Sequence, residues 1–251
     1  MDLRKYYDQL YRDSADYHGG HGDLRSGLMR FWKIERLLER YLPAAEFSRW
    51  RVLDVGCSTG DLLLHLKSKF LSVAGVDISE TAVMQAQERG ISNTQITDIE
   101  HETLPFPDNT FHLVFCLEIF EHLFTIEQVV SEIKRVLVPG GYLFVSVPND
   151  VLNWRRRAQI LFGRIPFEIE PPIGGSHIRH FSATSLARSL ATLGLETVAA
   201  GGFPLSYRQT DLGWIGRLAV TISPDLFAAN YFVIARLRRN DGVGGPKSIS
   251  P

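Results

Sequence analysis

The chain has 251 residues, of which 45% are hydrophobic and 22% charged, a composition typical of a globular protein. Its formal net charge of -1 argues against a nucleic-acid partner bound through overall charge. Two cysteines, Cys57 and Cys116, are too few for a disulfide framework, and the first residues lack the apolar segment of a signal peptide. We therefore expect a cytoplasmic protein with one principal domain.

The first 45 residues are predicted to form an N-terminal arm and a helix. Residues 1–22 are rich in tyrosine and end in H-G-G-H-G, which suits either a mobile arm or a flap that closes over a ligand. From residue 24 to residue 42, apolar side chains recur at helical spacing, and Pro43 ends the pattern. We assign residues 1–45 to this arm and lid, and residues 46–237 to the main domain.

A buried strand leads into a glycine-punctuated turn at V-L-D-V-G-C-S-T-G, residues 52–60, and a helix follows from Asp61. The next strand ends in Asp77, and Ser79 then caps a helix that runs to about residue 89. In α/β sheets, such a turn approaches a nucleoside and the acid accepts its ribose hydroxyls. The glycines do not follow the G-x-G-x-x-G spacing, which disfavours an NAD-dependent oxidoreductase.

These residues resemble the first motifs of class I S-adenosylmethionine (SAM) dependent methyltransferases, usually written L-D-x-G-x-G-x-G, with Ser58 at the middle glycine. The segment L-P-F-P-D-N-T-F at 104–111 is similar to one in the type 11 and ubiquinone/menaquinone methyltransferases, although His112 replaces their usual aspartate. R-V-L-V-P-G-G-Y-L-F-V-S-V-P at 135–148 matches their helix–turn–strand unit. The resemblance covers about residues 50–148, with weaker likeness to residue 200.

The resemblance implies a Rossmann-like α/β/α sandwich. Its seven-stranded sheet would be mostly parallel, with an antiparallel last strand. SAM would be the cofactor and S-adenosylhomocysteine the product. The positions that match the family's cofactor contacts are Asp54, Gly56, Cys57, Gly60, Asp77, Ile78, Asp98, Ile99 and Leu117.

Each part of the cofactor has an expected partner under this resemblance. The backbone of Gly56, Cys57 and Gly60 would contact the methionine part. Asp54 would lie under the amino group of SAM or order the turn. Asp77 would bind the ribose, Asp98 and Ile99 the adenine, and Leu117 would close the pocket through its backbone.

The sequence E-I-F-E-H at 118–122 follows the fourth predicted strand, at the sheet edge where α/β proteins bind ligands. Three interpretations remain open. His122 is a candidate general base; Glu121 and His122 only support the loop and line the pocket; or Glu118, Glu121 and His122 bind a divalent metal ion. The last resembles the E-x-x-E-H sites of ubiquinone-biosynthetic and small-RNA methyltransferases, and a carboxylate-rich set suits Mg²⁺ or Mn²⁺.

Two insertions are expected to select the acceptor. Residues 149–181 contain an arginine run and an apolar stretch, so that 154–167 is a candidate for peripheral membrane contact. This segment also holds His177 and His180, which can reach the pocket, and His180 is the second candidate base. The second insertion, 203–227, is predicted to contain a short helix. Residues 238–251 are predicted to form a disordered tail.

We therefore expect an enzyme that transfers a methyl group from SAM to a small-molecule acceptor, with O-methylation favoured. The acceptor classes considered are a sugar, a glycolipid, a quinone-like compound and a polyketide-like compound. Two alternatives stay open: an enzyme like the RNA 2′-O-methyltransferases, and a catalytically inactive SAM-binding regulator. The sequence identifies neither the acceptor nor the oligomeric state.

Overall fold

The computed structural model describes residues 3–13, 24–149, 161, 177–204 and 220–238. The strands in these ranges are β1 (Arg51–Val55), β2 (Ser72–Asp77), β3 (Thr94–Ile96), β4 (Phe111–Leu117), β5 (Leu137–Pro148), β6 (Leu195–Pro204) and β7 (Ala228–Leu237). The α-helices are α1 (Leu3–Asp13), α2 (Leu24–Tyr41), α3 (Asp61–Leu66), α4 (Glu80–Glu88), α5 (Ile126–Val136), α6 (Ala183–Thr192) and α7 (Pro224–Phe227).

The strands form one sheet in the order β3-β2-β1-β4-β5-β7-β6. The first five strands run parallel, and β7 is antiparallel to both β5 and β6. This confirms the predicted Rossmann-like sheet with an antiparallel last strand. The strand order reverses between β1 and β4, and the carboxyl ends of these strands are where open α/β sheets bind ligands.

Helix α2 belongs to the core of the domain. Its buried face packs against the sheet through Phe31, Ile34 and Leu38, and Leu42 packs beside them just after the helix ends. The helix therefore forms over nearly the predicted range, but not every apolar residue in it faces the core. Trp32 is 57% exposed, while Ile34 takes the buried place between Phe31 and Leu38 because of the helical period.

One predicted turn lies inside a strand. The segment Pro139–Gly141 was expected to separate a helix from the fifth strand, but β5 already begins at Leu137. Leu137 pairs with Phe111 and Tyr142 pairs with Leu113, so the ladder shifts register across the segment. Gly140 has a φ of 84°, a left-handed conformation that glycine adopts readily and that lets the strand absorb the extra residues.

Several sequence predictions fall on residues that the structure leaves undescribed. They are the H-G-G-H-G segment at 18–22, the membrane-contact candidate at 154–167 except residue 161, most of the second insertion, and the tail after residue 238. Across the ranges that are described, no helix has both the length and the apolar character needed to cross a bilayer.

Candidate functional site

The turn after β1 is fastened to β2 by its own backbone. Gly56 has a φ of 79°, and a Cβ at this position would collide with the side chain of Ile119, so only glycine fits. The amides of Gly56 and Cys57 donate to the carbonyl oxygen of Val76 at 2.8 and 2.9 Å. The amide of Gly60 donates to the carbonyl oxygen of Cys57. These three amides thus stabilise the turn itself, and the carbonyl oxygens of Cys57 and Gly60 also accept backbone hydrogen bonds, from Gly60 and Leu64.

The side chain of Cys57 packs beneath this turn. It is 4% exposed, and a Cβ added to Gly75 would lie 2.6 Å from its Sγ. Burial raises the pKa of the Cys57 thiol well above its usual value. The thiol is therefore a neutral packing group, and only the Cys57 backbone is left as a candidate contact.

Ser58 occupies the position where the family usually has glycine. Its φ of 49° is left-handed, which explains the preference for glycine there. Its amide donates to Oδ2 of Asp77 at 2.8 Å, and its hydroxyl accepts a hydrogen bond from the Tyr11 hydroxyl at 2.7 Å. The serine therefore keeps the conformation of the turn and adds a contact to α1.

Asp77 is held at the carboxyl end of β2 by two turns. Oδ2 accepts from the Ser58 amide, and Oδ1 accepts from the Ser79 amide at 3.0 Å. Burial raises the pKa of the Asp77 carboxyl, an effect that these two hydrogen bonds partly offset. The side chain is 8% exposed, so its position is fixed before any ligand arrives.

Asp54 is a second buried carboxyl group on the neighbouring strand. It is 3% exposed, and its Oδ1 has no hydrogen-bond partner in the described part of the chain. Burial, followed by the charge of Asp77, raises the pKa of Asp54 to about 8, while Arg30 acts in the opposite direction. The group is thus protonated at neutral pH unless a cation comes close.

Arg30 is a site residue that sequence reasoning missed. This buried side chain of α2 pairs with Oε1 of Glu118 at 3.0 Å and donates to the hydroxyl of Ser146 at 3.1 Å. Glu118 has a φ of 58°, and its Oε2 accepts from Asn230 at 2.6 Å. The signal available in the sequence was the position of Arg30 four residues before Ile34, which places this charged residue on the same helix face as an apolar one.

Asp98 and Ile99 follow β3, as predicted. The Asp98 carboxylate accepts from the Glu100 amide at 3.1 Å and contacts Nδ1 of His101 at 3.0 Å. Ile99 is partly buried against the main core cluster. Ile78 and Leu117 are also half-buried, beside Asp77 and at the end of β4. Their predicted cofactor contacts remain predictions.

In the loop after β4, Glu121 and His122 come together with His177. Ligand atoms of these three side chains all lie within 4.8 Å of one another. The His122 and His177 rings meet edge to face, with centroids 4.8 Å apart. Glu121 is 1% exposed, and its Oε1 lies 4.0 Å from Nε2 of His122. The predicted metal-binding set is therefore altered, because Glu118 instead pairs with Arg30.

The segment that carries His177 is anchored to the loop after β4. The amides of Ile178 and Arg179 donate to the carbonyl oxygen of Glu121 at 2.9 and 3.1 Å. The Arg179 guanidinium donates to the carbonyl oxygens of Leu123 and Phe124, both at 2.9 Å. These bonds bring His177 to His122. The predicted base His180 is exposed and is not a member of this group.

Comparison with known proteins gives the family. Residues 53–145 match the family of the methyltransferase domain. A ubiquinone biosynthesis O-methyltransferase of Mesorhizobium japonicum is 28% identical over 57% of this chain and 65% of its own length. A probable S-adenosylmethionine-dependent methyltransferase of Mycolicibacterium smegmatis is 33% identical over 58% of this chain and 51% of its own length. Residues 53–145 of the chain thus carry a methyltransferase domain.

Solved structures of methyltransferases share this fold. A SAM-dependent methyltransferase from Archaeoglobus fulgidus, 21% identical, superimposes with a TM-score of 0.57 over 82% of this chain and 94% of its own. The matched region spans about two thirds of the Mesorhizobium relative and about half of the Mycolicibacterium relative. These matches show the methyltransferase domain and its fold, and they do not fix the acceptor.

The residues at the ends of β1 and β2 fit SAM, which is the cofactor of the family. Arg30 pairs with Glu118, and its charge also acts on Asp54. It is the only basic residue in the buried set of the described ranges, which also contains the acid Asp77. SAM carries an ammonium group and a sulfonium, so its charge offsets this acidic surplus. The Oδ1 atom of Asp54, which has no partner within the described residues, suits an ammonium donor.

Proposed function

We propose that this methyltransferase transfers the methyl group of SAM to a hydroxyl oxygen of a small-molecule acceptor. Its main support is the position of Asp77, whose carboxylate is fixed by two turns at the carboxyl end of β2. Asp77 binds the ribose hydroxyls, and Asp54 takes the ammonium of the cofactor. The histidine pair after β4 faces the acceptor.

The binding residues do most of the protein's work in this reaction. SAM supplies an electrophilic methyl group, and the protein orients it, excludes water and removes the acceptor's proton. The Gly56 turn and Asp77 hold the cofactor at the strand ends, while the loop after β4 positions the acceptor. A hydroxyl nucleophile gains reactivity when a neighbouring base takes its proton as the new C–O bond forms.

His122 is the proposed base. Imidazole accepts a proton near neutral pH, and the buried Glu121 carboxylate 4.0 Å away stabilises the imidazolium that results. His177 lies against the His122 ring and limits its orientation. His177 is thus the proposed support of the base, and His180, the second candidate base, lies outside this group.

An acceptor with an apolar part fits the surface around this pair. Phe124 is 63% exposed and Ile178 is 39% exposed, and both belong to the segments that carry the two histidines. A quinone-like or polyketide-like hydroxyl compound meets this description better than a sugar. The Mesorhizobium relative, named for O-methylation in ubiquinone biosynthesis, is consistent with it.

A divalent metal ion at Glu121, His122 and His177 is a second candidate for activating the acceptor. The observation in its favour is that three ligand atoms already lie within 4.8 Å of one another. Two imidazoles and one carboxylate suit a transition metal ion better than Mg²⁺. In this case His122 would act as a ligand, and the bound ion would supply a lowered pKa of the acceptor hydroxyl.

Labelled-methyl transfer tests the proposal. The protein is incubated with methyl-labelled SAM and, in separate arms, a host small-molecule extract and host RNA. We expect label in the small-molecule arm. Label confined to RNA would favour the RNA alternative, and SAM binding without transfer in either arm would favour the inactive regulator.

Chelation separates the two modes of activation. If His122 is the base, activity in the small-molecule arm survives EDTA. If a metal ion is required, EDTA abolishes activity, added Mn²⁺ or Zn²⁺ restores it, and His177→Ala prevents the restoration.

A further inference from the structure

Helix α1 contacts the turn after β1 through Tyr11. Tyr11 is 6% exposed, and its hydroxyl donates to Oγ of Ser58 at 2.7 Å. The Ser58 amide donates in turn to Oδ2 of Asp77. Because Ser58 has a left-handed φ of 49°, which is unfavourable for a residue with a Cβ, a contact to its side chain helps to hold it there.

Helix α1 also contacts the turn after β2, through Asp8. Oδ1 of Asp8 accepts from the Ser79 hydroxyl at 2.7 Å and from the Thr81 amide at 3.0 Å. Burial alone raises the pKa of Asp8, but the hydrogen bonds from Thr81 and Ser79 and the charge of Arg12 outweigh it and lower the pKa. The carboxylate is thus ionised at the amino end of α4, where the helix dipole favours a negative charge.

The two contacts meet at one carboxylate. Ser58 and Ser79 donate their amides to the two oxygens of Asp77, and each serine side chain bonds to α1. Tyr11, Ser58, Asp77, Ser79 and Asp8 therefore form one continuous set of hydrogen bonds. This set joins the first helix of the chain to the ribose-binding position.

Two other contacts of α1 are exposed. Arg4 pairs with Glu102 at 3.0 Å, and Nε of Arg12 donates to the hydroxyl of Thr81 at 3.2 Å. Exposed pairs of this kind contribute little because water competes for both partners. Among these polar contacts between α1 and the described residues, those of Tyr11 and Asp8 are therefore expected to contribute most to the docking of α1.

We propose that α1 is part of the SAM site and that Tyr11 and Asp8 are positioning residues for Asp77. This inference rests on the proposed binding of SAM at Asp77. With α1 docked, both turns stay in place and Asp77 presents its carboxylate to the ribose. When α1 is released, Ser58 loses its side-chain partner, Asp77 is less well fixed, and SAM dissociates faster.

The test compares SAM binding by the full-length wild type with that of Tyr11→Phe and Tyr6→Phe. Both variants lose one hydroxyl from the same helix, but Tyr6 packs against the ring of Tyr7 and makes no hydrogen bond to the turns within the described residues. Calorimetry should show that Tyr11→Phe binds SAM about three- to tenfold more weakly than the wild type. Stopped-flow release should show that this change lies in the dissociation rate. Tyr6→Phe should match the wild type.

Substituting Ser58 tests whether Tyr11 acts on SAM binding through the Ser58 hydroxyl. In a Ser58→Gly background, which has the family's usual residue and no hydroxyl, Tyr11→Phe should no longer affect SAM binding. Asp8→Ala should also weaken binding, and Asp8→Asn should restore part of it, because the amide oxygen still accepts from Ser79 and Thr81. Thermal unfolding of each variant shows that the measurements are made on folded protein.

The outcomes are distinct. If the wild type binds SAM and Tyr11→Phe behaves like Tyr6→Phe, the inference is wrong while the proposed function stands. An equal effect of Tyr11→Phe in the wild-type and the Ser58→Gly backgrounds also overturns it, because Tyr11 would then not act through the serine hydroxyl. A wild type that fails to bind SAM overturns both.

Discussion

The proposed site has a cofactor end and an acceptor end, and the two are built in different ways. At the cofactor end, Asp54 and Asp77 lie on adjacent parallel strands, and backbone amides of the two following turns fix Asp77. At the acceptor end, His122 and His177 come from loops far apart in the chain, which Arg179 ties together. The proposed cofactor end is therefore set by the sheet, whereas the proposed acceptor end is set by contacts between loops. Substitutions at the two ends should have separable effects.

The largest effect is expected at the acceptor end. His122→Asn should lower kcat for methyl transfer by about 10²- to 10⁴-fold, the usual contribution of a general base. SAM affinity should stay unchanged, because the two turns that fix Asp77 follow other strands. Steady-state kinetics with the acceptor found by labelled-methyl transfer, together with SAM calorimetry, measures both quantities. His180→Asn is the matched comparison and should cost much less. Equal losses of kcat and SAM affinity in His122→Asn would show that the two ends are not separable.

A second prediction concerns the ion pair that joins α2 to the site. Arg30→Met leaves the Glu118 carboxylate without its cation, and loss of one partner of a buried pair typically costs about 3–5 kcal/mol in the free energy of unfolding. Urea unfolding provides the measurement. Arg4→Met, which breaks the exposed pair with Glu102, should cost less than about 1 kcal/mol. Similar midpoints for the two variants would contradict a structural role for Arg30.

The smallest effect is a pH dependence at the cofactor end. Because the pKa of Asp54 is raised to about 8, its carboxyl is protonated at pH 6 and must lose the proton to pair with an ammonium. SAM affinity should therefore rise between pH 6 and pH 8, by at most about tenfold per pH unit. Calorimetry in buffers with different ionisation heats should also show proton release. SAM itself titrates equally with both proteins, so Asp54→Asn should give a flatter profile of SAM affinity against pH. A profile as steep as that of the wild type would exclude Asp54 as the source of the pH dependence.

The same raised pKa has a consequence for stability. The folded state holds a proton on Asp54 at pH values where the unfolded chain has already released it. The contribution of Asp54 to the free energy of unfolding therefore falls as pH rises from about 4 to about 8. Thermal unfolding across this range should show Asp54→Asn losing part of that slope, and an unchanged slope would assign it to other groups.

The cofactor end could be predicted from the sequence because its determinants are local. The strand, the glycine turn and the acid of the next strand lie between residues 51 and 77, and each has a recognisable pattern. The antiparallel last strand was also predicted, because the resemblance implied the complete sheet of the family although its motifs end near β5. Ser58 was identified as irregular, but its bond to Tyr11 was not visible in the pattern.

The acceptor end and the ties to the first helices could not be predicted in the same way. E-x-x-E-H spacing suggested that Glu118 joins Glu121 and His122, but the left-handed backbone at Glu118 and its pair with Arg30 place it elsewhere. His177 reaches His122 only because Arg179 binds the loop carbonyls. Such contacts join residues distant in the chain, and no local period encodes them.

SAM calorimetry on Asp77→Asn tests the cofactor site most directly. The asparagine keeps the size of the side chain and an oxygen for the Ser79 amide. It removes the charge that we propose binds the ribose, together with the acceptor for the Ser58 amide. The wild type should bind SAM one to one and give no heat with NAD, and Asp77→Asn should bind SAM about tenfold or more weakly, as the loss of charged hydrogen bonds predicts. Asp108→Asn, which changes an exposed acid paired with Arg135, should bind like the wild type. A wild type that does not bind SAM, or an Asp77→Asn variant that binds it equally tightly, would contradict the assignment.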